Sequence, residues 1–234
     1  MKSLLHIIST PIGNYADLTL RALRLLNECD CVICEEYKEA VRLMKFFNIK
    51  KDFKLLNEHN EDEATEEYFK ELLNGKNIAL ISDCGTPAFA DPGLRLIRKC
   101  IEFNINIDFI PGANSILAAI VLSGFDISRF YYVGFLSPKK DIRRKELNEL
   151  TNLKRSFIII DTPYRLNAVL KDLNVFFPKR KLFIGFNLTM NNEMQLRGFT
   201  SEILEHIEET TEGKKLKGEF VIVVDKAKKY RVLP

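Results

Sequence analysis

The sequence lacks the motifs that announce the commonest active sites. It has no G-x-x-x-x-G-K-[ST] phosphate loop, and Pro11-Ile12-Gly13 cannot supply the run of backbone donors that a pyrophosphate requires. It has no G-x-S-x-G turn for a nucleophilic serine, and its three histidines form no close metal pair. No apolar run approaches the roughly 18 residues of a membrane span. The opening MKSLLHIISTP is broken by His6 and stopped by Pro11, too short for a signal peptide. Five cysteines, an odd number without a secretory signal, point to a reducing cytoplasm and to thiols that pack as small hydrophobes. Cys29, Cys31 and Cys34 cluster, but the last two bound an apolar run, so buried core thiols are preferred and no metal is expected. Internal repeats and low-complexity tracts are also missing.

What is present is a soluble, globular composition. In 234 residues, 46 % of them hydrophobic, there is enough apolar material for one large core or two small ones. The net charge of +3 is too small to demand a polyanionic partner by itself, but its distribution is uneven. Glu58 to Glu71 is acidic, whereas Lys139-Lys140-Asp141-Ile142-Arg143-Arg144-Lys145 gathers five positive charges around one negative.

The stretch Asn77 to Gly93, NIALISDCGTPAFADPG, is organised most sharply. Ile78 to Ile81 is apolar on both faces, as in a strand buried within a parallel sheet. Gly85 and Pro87 prevent regular continuation, and Asp91-Pro92 suits a helix N-cap and first position ahead of an apolar face of Leu94, Ile97 and Ile101. The same strand, turn and helix recur at Leu4 to Ser9 with a helix capped by Asp17, at Cys31 to Cys34, at Phe53 to Leu56 and at Ile105 to Ile110. Five such alternations predict a parallel α/β sheet. Gly124 to Arg129 is the best boundary, giving domains over 1–124 and 125–234. Beyond it, strands near Lys181 to Phe186 and Met194 to Phe199 follow one another, so the second sheet is expected to be mixed. Ligands of open α/β sheets bind at the carboxyl ends of strands. Loops there rich in Gly, Pro, Ser, Thr and Asn suit a neutral or zwitterionic ligand with an apolar body.

Ser9-Thr10-Pro11-Ile12-Gly13-Asn14 with Asp17-Leu18-Thr19-Leu20-Arg21-Ala22, Glu58-His59-Asn60-Glu61, Ser82-Asp83-Cys84-Gly85-Thr86-Pro87 with Asp91-Pro92-Gly93, Pro111-Gly112 and Lys217-Gly218-Glu219-Phe220 occur in this order along nearly the whole chain. In this the sequence resembles the ribosomal RNA small subunit methyltransferase I group of the tetrapyrrole methylase superfamily. The resemblance implies an α/β fold of two α/β domains of tetrapyrrole-methylase type, with S-adenosylmethionine in the cleft between them, in a cytoplasmic homodimer. Carried over by position, the cofactor contacts are Ile12, Asp83, Gly85, Thr86 and Phe89, then Asn114 and Ser115, and from the second domain Asp161, Phe186, Asn187 and Glu219. The implied reaction is 2'-O-methylation of a cytidine in small-subunit ribosomal RNA.

Methyl transfer from a sulfonium chiefly needs alignment in a dry cleft, and a ribose hydroxyl gains from a base within hydrogen-bond reach. Glu35, Glu36, Lys38 and His59 stand in loops after early strands and are the catalytic candidates. Glu35-Glu36 can equally offset the positive end of the next helix, and His59 can simply hold its loop together. Lys139, Lys140, Arg143 and Arg144 are the candidate RNA contacts, the alternative being a solvated helix face.

Two departures leave the substrate open. Glu35-Glu36-Tyr37-Lys38 stands where those enzymes carry an acidic pair followed by threonine and arginine, and lysine cannot reproduce a bidentate arginine fork. The chain also stops at Pro234, where those relatives continue with a helical segment. A methylase of a tetrapyrrole or another small molecule, and a non-catalytic nucleoside-binding module, are the competing readings.

Overall fold

The computed structural model describes residues 3–212 and 216–227. The chain divides between Asn114 and Ser115 into two compact units.

The first unit alternates strand and helix: β1 (Leu4–Ile8), α1 (Leu20–Glu28), β2 (Cys31–Cys34), α2 (Tyr37–Phe46), β3 (Phe53–Leu55), α3 (Glu61–Leu73), β4 (Asn77–Leu80), α4 (Leu94–Glu102) and β5 (Asn106–Ile110). All five strands are parallel, in the order β3-β2-β4-β1-β5. The central strands are the most apolar because both of their faces are covered: β2 is apolar throughout, β4 from Ile78 onward and β1 except at His6, whereas the edge strands β3 and β5 carry Lys54, Asn106 and Asp108. Val32, Cys34, Ala79 and Ile81 face α1 and α2, whereas Cys31, Ile33, Ile78 and Leu80 face α3 and α4. The cysteines of β2, together with Cys29 and Cys100, are buried free thiols.

Helix starts differ in detail from the sequence expectation. Asp17 lies in a short 3-10 turn capped by Asn14, and Thr19 caps α1 by accepting from the Ala22 amide at 3.2 Å. Gly93, with φ +118°, precedes α4 in place of Asp91, and its amide donates to Glu61 Oε1 at 2.9 Å. A side chain at Gly93 would put its Cβ 2.8 Å from Leu80 Cδ2, so this glycine seats the start of α4 close to β4. That seating turns Leu96 and Cys100 onto the sheet, leaving Leu94 45 % and Ile101 64 % exposed. The expected Leu94-Ile97-Ile101 face is therefore rotated away, with only Ile97 at its margin.

The second unit contains α5 (Ser115–Ser123), β6 (Phe130–Gly134), α6 (Lys140–Leu150), β7 (Ser156–Asp161), α7 (Leu166–Phe176), β8 (Lys181–Phe186), β9 (Met194–Phe199), α8 (Thr200–Thr211) and β10 (Phe220–Val224). Helix α5 belongs here because it packs against β8 and β10, and the compact division accordingly precedes it and not the Gly124 segment. The sheet, β6-β7-β10-β8-β9, is mixed: β6 and β7 are parallel, and β10 runs antiparallel to both β7 and β8. Its core joins Leu147, Phe157, Ile159, Leu170, Phe177, Ile184, Ile222 and Val224.

Helices α6 and α7 are also joined by a buried ion pair. Arg143 Nε and one terminal nitrogen each lie 2.8 Å from Asp172 Oδ2, and both residues are about 95 % buried. Removing one partner of such a pair strands the other charge. Asp172→Asn is expected to cost about 3–5 kcal/mol, measured by urea denaturation, with the paired Arg143→Leu, Asp172→Leu variant recovering most of the loss.

Candidate active site

The strand order determines where the first unit's loops meet. From β1 the chain moves past β4 to reach β2, and from β4 it moves past β1 to reach β5, so the two exits cross over one another. At the crossing Thr10 and Gly85 form an isolated antiparallel bridge, the Thr10 amide donating to Gly85 O at 2.8 Å and the Gly85 amide to Thr10 O at 3.2 Å. The Thr10 hydroxyl, buried, donates to Ser82 O at 3.1 Å. Ser9 Oγ and Thr86 Oγ1 share a hydrogen bond of 3.0 Å. Gly85 holds φ +82°, a conformation costly for any residue with a Cβ, and Ile12 is buried against it. The loop after β5 joins from the other side of β1: a Cβ on Gly112 would stand 2.9 Å from Ser9 Cβ.

Ile12, Gly85, Thr86 and the Pro111–Asn114 loop are thus brought to one end of one sheet. Phe89 lies farther along the β4 loop, 53 % exposed, beside Ala88 at φ +60°. Between the β1 and β4 loops and α2 is a recess of about 30 Å³, lined by Thr10, Pro11, Tyr15, Glu39, Ser82 and Asp83 among others. It has room for a water or two, not for a nucleoside.

The β2 exit adds carboxylates. Asp83 Oδ1 accepts the Glu36 amide at 3.1 Å, tying the β4 loop to the β2 loop. Burial pushes Glu35 up to about 7, helped by the nearby charges of Asp91, Asp83, Glu36 and Glu58. Burial likewise pushes Asp83 up to about 6, opposed by the Glu36 amide. Glu36 and Lys38 are exposed. The loop after β3 is held by asparagines: the Asn57 amide donates to Asn60 Oδ1 at 2.8 Å, and Asn60 Nδ2 to Leu55 O at 3.0 Å. The His59 side chain does not hold it: it is 85 % exposed and lies 3.6 Å from Glu58, itself exposed.

The second unit has its own convergence of strand ends. Because β10 is antiparallel, its start lies beside the ends of β7 and β8, and Asp161, Phe220 and Phe186 stand in register across three strands. Asp161 is 2 % exposed; Oδ1 accepts the Thr162 amide at 2.7 Å and Arg165 at 3.0 Å, while Oδ2 is buried without a partner. Burial raises its carboxyl, and also that of Glu219, although Glu219 keeps exposed surface. Asn187, at φ +47°, donates its amide to Glu219 O at 2.8 Å. A Cβ on Gly218 would lie 2.5 Å from Phe186 Cζ, so only glycine fits this approach. A larger open groove, about 500 Å³ and lined by Pro178, Lys179, Phe199 and Ser201, lies at the Lys181 end of β8, away from Phe186.

The basic run is not uniform. Lys139 and Lys140 are exposed, but Arg143 does not face solvent: its fork is occupied by Asp172, and its remaining nitrogen points at the Ser137 and Pro138 carbonyls. Arg144 stacks 5.4 Å from the Phe176 ring, with Asp172 at 3.9 Å. The expected RNA contact at Arg143 is therefore corrected to a structural one, since helical periodicity turns that position toward α7. Ser9 and Gly112, part of the motifs but not candidate contacts, and Arg165, in no motif, also carry parts of the arrangement.

Residues 4–204 match the family model of tetrapyrrole (corrin/porphyrin) methylases. The chain belongs to this family, and it is an S-adenosylmethionine-dependent methyltransferase. It is 35 % identical over 224 residues to a ribosomal RNA small subunit methyltransferase I of Halalkalibacterium halodurans, covering 96 % of this chain and 76 % of that one. It is 34 % identical over 220 residues to the protein of the same name from Thermotoga maritima, covering 94 % and 97 %. Its fold is similar to that of a uroporphyrin-III C-methyl transferase from Thermus thermophilus complexed with S-adenosylhomocysteine, with a TM-score of 0.63, 14 % identity, and 94 % and 96 % coverage. Each unit by itself holds groups that suit this cofactor: in the second, Asp161 offers a buried acceptor without a donor, and in the first, Ile12 and the Cβ-free Gly85 offer an apolar contact.

A carboxyl raised in the folded state destabilises it as pH climbs from the unfolded pKa to the folded one. For Glu35 that window runs from 4.5 to about 7, and the penalty is complete above it. Glu35→Gln is expected to stabilise the protein at pH 8 by about 1–3 kcal/mol and to have little effect at pH 4.5, as read by thermal unfolding at the two pH values.

Proposed function

We propose that this methyltransferase acts on the 2'-hydroxyl of a cytidine in small-subunit ribosomal RNA, in the cytoplasm and as a homodimer. The names of the two relatives support the substrate class, and among the described residues no helix is long and apolar enough to cross a membrane. The observation that carries the reading is the placement of the Glu35 carboxylate in the β2 loop, which Asp83 ties through the Glu36 amide to the β4 loop that forms the Thr10–Gly85 bridge.

In this proposal S-adenosylmethionine, when bound, supplies a methyl group already activated as a sulfonium substituent. Ile12, Gly85, Thr86, Phe89, Asn114 and Ser115 contact it from one set of strand ends. Asp161 Oδ2 would offer it a hydrogen-bond acceptor, with Phe186, Asn187 and Glu219 alongside. Asp83 acts indirectly, by fixing the β2 loop through the Glu36 amide. Glu35 would take the proton of the ribose hydroxyl as the oxygen–methyl bond forms and the sulfur–methyl bond breaks, leaving a neutral thioether, and its pKa suits a base working near neutrality. Lys139 and Lys140 meet RNA phosphates as point charges.

Incubation with labelled cofactor and small ribosomal subunits is expected to label RNA, at a site identified by nucleoside mass spectrometry. Label found only in a porphyrinoid or another small molecule would replace this substrate with the rival one. Glu35→Gln should lower kcat by about 10²–10⁴ while leaving S-adenosylhomocysteine binding by calorimetry unchanged. The wild-type rate should rise as pH passes through about 7, where Glu35 ionises. Changing Lys139 and Lys140 to glutamine should make the salt slope of RNA binding shallower by about 1.4.

A further inference from the structure

Tyr164 is among the most exposed large side chains of the molecule, with 74 % of its surface open. Its backbone is nevertheless tightly specified. The Arg165 amide donates to Thr162 O at 3.1 Å, closing a β-turn in which Pro163 takes the second position and Tyr164 the third. Proline fixes one of the two central residues of that turn. Arg165 fastens the turn from the other side, with one guanidinium nitrogen donating to Leu136 O at 2.9 Å and Ser137 O at 2.7 Å and another 3.0 Å from Asp161 Oδ1. An aromatic ring so displayed gains little from burial, and the backbone that carries it is already ordered, so only the entropy of the side chain itself is lost when something packs on it.

Its surroundings are cationic. The Lys217 ammonium lies 5.3 Å from the centre of the Tyr164 ring. The Arg165 contact to Ser137 brings the turn beside the loop that leads into Lys139 and Lys140, both exposed. Asp141 is the one acidic residue in the first turn of α6. A π-face bordered by ammonium groups matches an unstacked nucleobase with phosphates on either side. A protein partner would call for a wider apolar surface around the ring.

We propose that Tyr164 is a stacking platform for an unpaired base of the RNA substrate, with Lys217, Lys139 and Lys140 meeting the flanking phosphates. The proposal rests on the RNA reading above and adds a positioning residue to it. Stacking would hold a neighbouring nucleotide in place while the ribose to be methylated is presented, so its loss raises KM more than it lowers kcat.

The test compares Tyr164→Leu with Tyr164→Phe. Binding to a fluorescently labelled unstructured RNA oligonucleotide is titrated at several salt concentrations, S-adenosylhomocysteine binding is measured by calorimetry, and methylation of small ribosomal subunits from cells lacking the protein gives KM and kcat. The expected result is an RNA affinity about 5- to 150-fold weaker for the leucine variant, with an unchanged salt slope, unchanged S-adenosylhomocysteine binding and near wild-type behaviour for phenylalanine. Unaltered RNA affinity and KM in the leucine variant, with wild-type RNA methylation intact, would overturn the platform alone. Loss of S-adenosylhomocysteine affinity in that variant would overturn it by assigning the ring to the cofactor. A wild-type protein that binds S-adenosylhomocysteine but no RNA would overturn it together with the RNA reading.

Discussion

Two hydrogen bonds between Thr10 and Gly85 fasten the crossing of the chain at the centre of the first sheet. They follow from topology: two adjacent parallel strands whose connections leave in opposite directions must pass their exits over one another. At such a crossing, main-chain groups lose their sheet partners and are buried, so they need others. The bridge supplies them for Thr10 and Gly85, and the Thr10 hydroxyl covers Ser82. Glycine is required because a left-handed backbone is needed where Ile12 closes in. The shape of these loops is thus a by-product of satisfying buried peptide groups.

The second unit meets the same problem with arginine. Arg165 binds the carbonyls of Leu136 and Ser137, and Arg180 those of Leu153, Arg155 and Asp225 while lying over the rings of Phe157 and Phe177. Arg180 is buried so completely that its pKa falls to about 10, yet three carbonyl partners compensate the ion. A planar fork of donors can reach several chain segments at once, which an ammonium cannot do as well. Mixed sheets leave irregular connections, and these side chains fasten them.

Much of this was legible in the sequence, for reasons that differ by feature. The parallel sheet was legible because its doubly covered central strands read as short apolar runs, each followed by a helix, and the mixed sheet because β8 and β9 follow one another without a helix. The irregular loops at the strand ends were legible because glycine and proline cannot be placed freely. Side-chain direction was not. Arg143 and its basic neighbours are alike in composition, and only the packing of α6 on α7 separates a buried arginine from an exposed lysine. The face of α4 had two self-consistent solutions, Leu94-Ile97-Ile101 and Leu96-Cys100, and a glycine contact with Leu80 decides between them. Arg165 escaped notice because it serves carbonyls, which carry no sequence signature.

The central position of β10 also orders events during synthesis. Strands β7 and β8 are made well before the segment that separates them, so until it emerges from the ribosome both present unpaired, strongly apolar edges. The second unit cannot close its sheet in chain order, and its own Asp161 and Phe186 acquire their neighbours only when the last strand threads between them. A nascent chain of this protein must therefore protect, or be protected at, those two edges from the completion of β7 and β8 until Phe220–Val224 has been made.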